Sequence, residues 1–201
     1  MRADYPVWSV AFDPDGQHVA TGSGGYDNSV QLWSIDTRTA GEPMVGQRGF
    51  AVHSVGFSRD GQHIVVGSHD GATRVWDIGT RHVTELKGGQ NAVLSVAYSS
   101  TDRWIVTGDN GGTIRLFDGD TYEPVGVPME GHRDWVTTVS FNGDDSRILS
   151  GSVDGNLRLW PPPTDFTRVL CSKLASNMTR EQWSEWVSPE IKYEKVCPDL
   201  A

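Results

Sequence analysis

Three side chains in the last third of the chain are the types that acyl transfer uses: His132, a serine at Ser150 or Ser152, and Asp154. That chemistry needs an exposed serine hydroxyl beside its base and donors aimed at the developing oxyanion. The six histidines, His18, His53, His63, His69, His82 and His132, are candidate metal ligands. They lack the short paired spacing of a zinc site, so no metal and no cofactor is expected. Gly22-Ser23-Gly24-Gly25 has the composition of a phosphate cradle. It joins two strand-like segments and opens no helix, so the phosphate-loop context is missing and these glycines read as turn residues.

The elements that must position these residues come from a repeat. Val-x-x-Val-x-aromatic occurs at Val7 to Phe12, Val52 to Phe57, Val93 to Tyr98 and Val136 to Phe141, a period of 41 to 45 residues. Each copy runs on through a polar turn, an apolar run, a Gly/Ser/Asp turn and a strand closing on Trp33, Trp76, Phe117 or Trp160. The second copy shows the pattern best. Val52 to Phe57 reads as a buried inner strand, Ser58 to Gly61 as a hairpin with Gly61 at φ > 0, and His63 to Ser68 and Thr73 to Asp77 as the next strands. His82 to Leu86 reads as a polar outer strand suited to a sheet edge. A period in this range with a Trp-Asp ending is the mark of propeller blades. The fold expected is all-β, a partial propeller of four four-stranded blades at about 5–46, 47–88, 89–130 and 131–170. A short helical tail at 171–201 completes the chain.

Gly67-Ser68-His69-Asp70-Gly71 with Val75-Trp76-Asp77, Gly151 to Gly155 with Leu159-Trp160, and Gly131-His132-Arg133-Asp134-Trp135-Val136 resemble the WD-repeat family. The resemblance implies a buried tetrad in each blade, of a His, a Ser or Thr, an Asp and a Trp. Only the last repeat carries the full set: His132, Ser150 or Ser152, Asp154 and Trp160. The second keeps Asp70 and Trp76 but has Arg48 at the histidine position. The first keeps Asp27 and Trp33, with two extra turn residues. The third has Gly89, Gly111 and Phe117 at the His, Asp and Trp positions, and is expected to be the loosest blade, the last the most rigid. On this reading the His, Ser and Asp fix a turn and do no catalysis. The same resemblance puts Pro6, Ala51, Ala92 and Trp135, and Tyr26, His69, Asn110 and Val153, at the top face. Trp135, Tyr26, His69 and Asn110 are the candidate partner-binding residues, and Trp135 is favoured because exposed Trp is enriched at interface hot spots. Packing against a neighbouring blade is the competing role for Trp135.

Charge narrows the partners. A net charge of −9 suits nucleic acid poorly. No apolar run reaches the ~18 residues of a membrane span, and the first residues show no signal-peptide pattern, so the cytoplasm is expected. Cys171 and Cys197 both fall in the tail and are expected as free thiols there. Thr179-Arg180-Glu181-Gln182 reads as a capping box before Trp183, Trp186 and Val187. The tail resembles the endings of actinobacterial WD-repeat proteins, in which a propeller often follows a STAND-type NTPase or a protein kinase. Four blades leave an open arc. Three resolutions stand, in order: part of a longer protein, a homodimer closing an eight-blade ring, or strained closure alone. The function expected is a non-catalytic protein or peptide interaction scaffold; the alternative is the sensor part of a signalling NTPase or kinase.

Overall fold

The computed structural model describes residues 2–3, 5–24, 29–41, 43–45 and 51–161. Tyr26, Asp27, Arg48, the outer strand expected at 166–170, both cysteines and the helical tail lie outside the described residues. The chain divides into two compact units, Met1–Trp160 and Pro161–Ala201, and the architecture below is that of the first.

The unit is all-β, a run of antiparallel sheets with the order of propeller blades. The first blade comprises β1 (Val7–Phe12), β2 (His18–Ser23), β3 (Ser29–Ser34) and β4 (Met44–Val45). The second comprises β5 (Val52–Phe57), β6 (His63–Ser68), β7 (Thr73–Asp77) and β8 (Val83–Leu86). The third comprises β9 (Val93–Tyr98), β10 (Trp104–Asp109), β11 (Thr113–Asp118) and β12 (Met129–Glu130). The fourth has β13 (Val136–Phe141), β14 (Ile148–Ser152) and β15 (Leu157–Trp160) among the described residues, one strand fewer than expected. Within every blade the strands pair in chain order, as short hairpin loops require.

The cores lie between blades. Ala20, Val30 and Met44 of the first blade pack on Val52, Val55, Ile64, Val66 and Trp76 of the second. Val65, Val75 and Leu86 pack on Val93, Val96, Ile105 and Phe117 of the third. Burying one such aliphatic side chain contributes roughly 1.5–3 kcal/mol, which the alternating inner strands deliver at every junction. The hairpins add polar ties. Gly16, Gly61, Asp102 and Asp145 all have positive φ at the same hairpin position. Asp102 accepts from the Arg59 amide at 2.6 Å, and Asp145 from the Ser100 amide at 2.7 Å, so each aspartate locks its blade to the one before. Aspartate is among the few non-glycine residues that enter this backbone region routinely.

Two blades stand apart from the second. The first inner strand is not buried like its equivalents: Val10 is 64% exposed, whereas Val55, Val96 and Val139 are 5–6% exposed. No described blade covers its outer side. The third blade, expected to be loosest, is among the most completely buried, with all six residues of β10 enclosed. Its missing tetrad is replaced by other chemistry, described next.

Candidate functional site

The fourth blade assembles the full tetrad. The Trp160 indole Nε1 donates to Ser150 Oγ at 2.8 Å, Ser150 Oγ lies 2.7 Å from His132 Nε2, and His132 Nδ1 lies 3.0 Å from Asp154 Oδ2. With the indole donating to Ser150, a serine proton directed to Nε2 and an imidazole Nδ1–H directed to the carboxylate give every member of the chain a partner. The geometry chooses between the two serines. Ser152 instead donates to the Asp134 carbonyl at 3.0 Å and accepts from the Asp154 amide at 3.1 Å. The Arg133 amide, opposed by burial and helped by Asn156 and His132, holds Asp154 well below the usual carboxylate range. The Ser-His-Asp order is that of a hydrolase, but Ser150 is 0% exposed and its oxygen is already taken by Trp160. A substrate carbonyl cannot reach it, so this trio closes a turn.

The other blades reach the same end differently. In the first, Trp33 donates to Thr21 at 2.9 Å. In the second, Asp70 takes both terminal nitrogens of Arg74, at 3.3 and 2.7 Å, and the Ala72 amide at 3.0 Å. Burial works to raise the Asp70 pKa, but Arg74 and Ala72 outweigh it and lower it. Trp76 is buried against Val66, which stands in the register of Ser150. In the third, the aspartate has moved two residues earlier. Asp109, 1% exposed, accepts from the Gly111 and Thr113 amides at 2.9 and 3.0 Å and pairs with Arg115. A Cβ on Gly89 would meet the Arg115 guanidinium at 2.6 to 2.8 Å. The glycine at the histidine position thus leaves room for an arginine arriving from the blade's own third strand.

The candidate binding residues lie at one end of the inner strands. The amides of His69, Asn110 and Val153 bond the carbonyls of Ala51, Ala92 and Trp135. The sequence assigned this place to Tyr26 in the first blade; there the bond is made by Gly24, to Pro6. Trp135 is half exposed, so it is not consumed by packing on a neighbour. Next to these positions every inner strand carries a β-bulge, and the residues skipped by the pairing are Trp8, His53, Leu94 and Thr137. A bulge re-aims its side chain away from the ladder. Trp8 stacks on His53 with ring centres 5.0 Å apart, and His53 Nε2 is 3.1 Å from His69 Nδ1. Burial first, and His69 second, lower the His53 pKa. Sequence reasoning named His69 and Trp135 but missed Trp8 and His53. Their signal was present: a large ring directly after the first valine of the repeat, in a slot that the repeat leaves variable.

Metal and haem chemistry can be tested against the same geometry. Asp13, Asp15 and His18 offer ligand atoms within 4.8 Å of one another. Asp13 spends both oxygens on His18, on its amide at 2.9 Å and its Nδ1 at 2.8 Å, and Asp15 bonds the Gln17 amide. The group locks a hairpin. It borders a cleft of about 500 Å³ between the first two hairpins, also lined by Asp60 and Arg59.

Two family models match the chain. The WD domain, G-beta repeat, matches residues 2–34, and the cytochrome D1 heme domain matches residues 25–147. A guanine nucleotide-binding protein subunit beta of Arabidopsis thaliana is 30% identical over 77% of this chain and 44% of its own length. A ribosome biogenesis protein WDR12 homolog of Drosophila persimilis is 28% identical over 77% of this chain and 40% of its own. The chain therefore spans less than half the length of these relatives. Among solved structures, that of the computationally designed Ika4 protein superposes with a TM-score of 0.66 and 26% identity, covering 80% of this chain and 94% of that one. The described residues do not suit a haem. His53 and His69 bond each other and His132 bonds Ser150 and Asp154. The 500 Å³ cleft carries three carboxylates that would repel a porphyrin's own, and the cavity beside His63 and His82 adds the Asp77 carboxylate and offers Val75 and Tyr122 as its larger apolar side chains. The residues of the repeat, the four sheets and the curated relatives agree: the chain is built of WD-type repeats folded as β-propeller blades.

Proposed function

We propose that this chain is a non-catalytic protein-interaction module that binds a peptide or protein segment across the bulge end of its blades. The observation that carries the reading is the row of side chains there. Trp8 and His53 share the bulge position of the first two repeats, His69 lies beside His53, and Trp135 stands just before the inner strand of the fourth; none of them takes part in a tetrad or an interblade core. Exposed aromatic rings on a rigid sheet are the type of anchor that binds proteins. The opposite ends of the blades differ: their hairpin carboxylates are spent on neighbouring amides. The relatives' names, a subunit of a larger protein and a biogenesis factor, fit a part that works in assemblies.

The test is selection of a displayed random peptide library on the purified chain. Enriched peptides are then measured against Trp8→Ala and Trp135→Ala. Peptides that bind the parent and lose about tenfold or more in either variant bear the reading out. No enrichment, or binding that neither variant alters, refutes it.

A further inference from the structure

The three internal junctions are copies of one lock. At each, a glycine of the second strand accepts the first valine of the next blade's inner strand. A Cβ on Gly22, Gly67 or Gly108 would strike Val52, Val93 or Val136 at 2.5 to 2.8 Å. At each, a serine hydroxyl accepts the next inner strand's amide: Val55 to Ser9 at 3.0 Å, Val96 to Ser54 at 3.1 Å and Val139 to Ser95 at 3.1 Å. Among the described residues, the two outermost faces hold the unmatched halves of this lock. On the fourth blade, Gly151 has Thr138 and Leu157 of its own blade as its neighbours among the described residues, and Thr138 stands in the serine's place. Leu157 and Leu159, which correspond to the buried Val30 and partly buried Leu32, are 74% and 69% exposed. On the first blade, Val7, Val10 and Phe12 correspond to Val52, Val55 and Phe57, and all three are exposed.

We propose that these faces take a second copy of this chain. The Val7–Phe12 strand of each copy docks on the Gly151–Leu157 face of the other, with Thr138 Oγ1 accepting the Val10 amide. The partner is chosen by the continuity of the lock: the unmatched halves are those of one junction, and neither face carries a charged group in its apolar positions. Two such junctions related by a two-fold close a ring of eight blades, within the usual range for propellers. The junction uses the blade faces and not the bulge end, so it does not rest on the peptide-binding reading.

The experiment pairs solution mass with a directed cross-link. Gly22 places an added Cβ 3.2 Å from Val52 Cβ, so Val7→Cys with Gly151→Cys, in a chain with Cys171 and Cys197 replaced by Ser, should cross-link between copies on oxidation. The expected result is a parent mass of twice 22.0 kDa by light scattering, and a covalent dimer as the single oxidised product. Val10→Asp should return the mass to that of one chain while the circular dichroism of the sheets persists. A parent that stays monomeric with native circular dichroism overturns the proposal, whether the faces are then solvated or meant for further blades of a longer protein. A ladder beyond the dimer also overturns it, because the contact would then not close.

Discussion

The third and fourth blades hold the same turn with different chemistry. In the fourth, a histidine from the preceding loop reaches the turn aspartate and closes a hydrogen-bond chain that starts at the Trp160 indole and runs through Ser150. In the third, the histidine is Gly89, the tryptophan is Phe117, and the aspartate stands at 109. Arg115 fills the space from its own strand and pairs with the buried Asp109. The difference teaches that the fold requires a satisfied carboxylate between the second and third strands, and that the partner is negotiable. The second blade supports this, because Asp70 keeps the usual place and still takes an arginine, Arg74.

The largest effect should come from Arg115→Ala. It strands the Asp109 carboxylate in a site 1% exposed, and breaking such a pair costs about 3–5 kcal/mol. Two backbone amides still hold Asp109, so the lower end of that range is expected, measured by denaturant unfolding. Ser150→Ala should come next. It leaves the partly buried Trp160 indole and the buried His132 ring each short of a partner, for a loss of about 1–3 kcal/mol. An Arg115→Ala protein as stable as the parent would show that the third blade is not closed by this pair.

Acid should separate the blades further. Asp154 titrates below its unfolded value, which is about 3.9. Its contribution is therefore fully present above that pH and is lost progressively as pH falls through 3.9 toward the folded value. Acid unfolding of Asp154→Asn should show a weaker pH dependence in that window than the parent. The smallest stability change, within about 0.5 kcal/mol, is expected for Trp135→Ala, since the ring is half exposed. The third blade has Ala92 at the same place, which shows that the fold does not require the ring.

Much of this was legible in the sequence. Val-x-x-Val-x-aromatic and the closing Trp or Phe fixed the strands of the second blade nearly to the residue, with β6 and β7 where the pattern put them. His132, Asp154 and Trp160 could be read together because the motif that holds them is local and complete. The closure of the third blade was not legible because it is spread over three segments, at Gly89, Asp109 and Arg115, and matches no single motif. The clue was an arginine in one register in three repeats, Arg74, Arg115 and Arg158. Trp8 and His53 escaped notice because a bulge, which only backbone pairing reveals, turns them out of the ladder.

The central claim is that an arginine closes the third blade as firmly as the tetrad closes the fourth, giving a rigid platform under the bulge end. Native-state hydrogen exchange tests it directly through amides bonded to the two carboxylates, Gly111 and Thr113 against Arg133 and Asn156. Equal or greater protection in the third blade is predicted. Fast exchange at Gly111 and Thr113, with Arg133 and Asn156 still protected, would contradict the account.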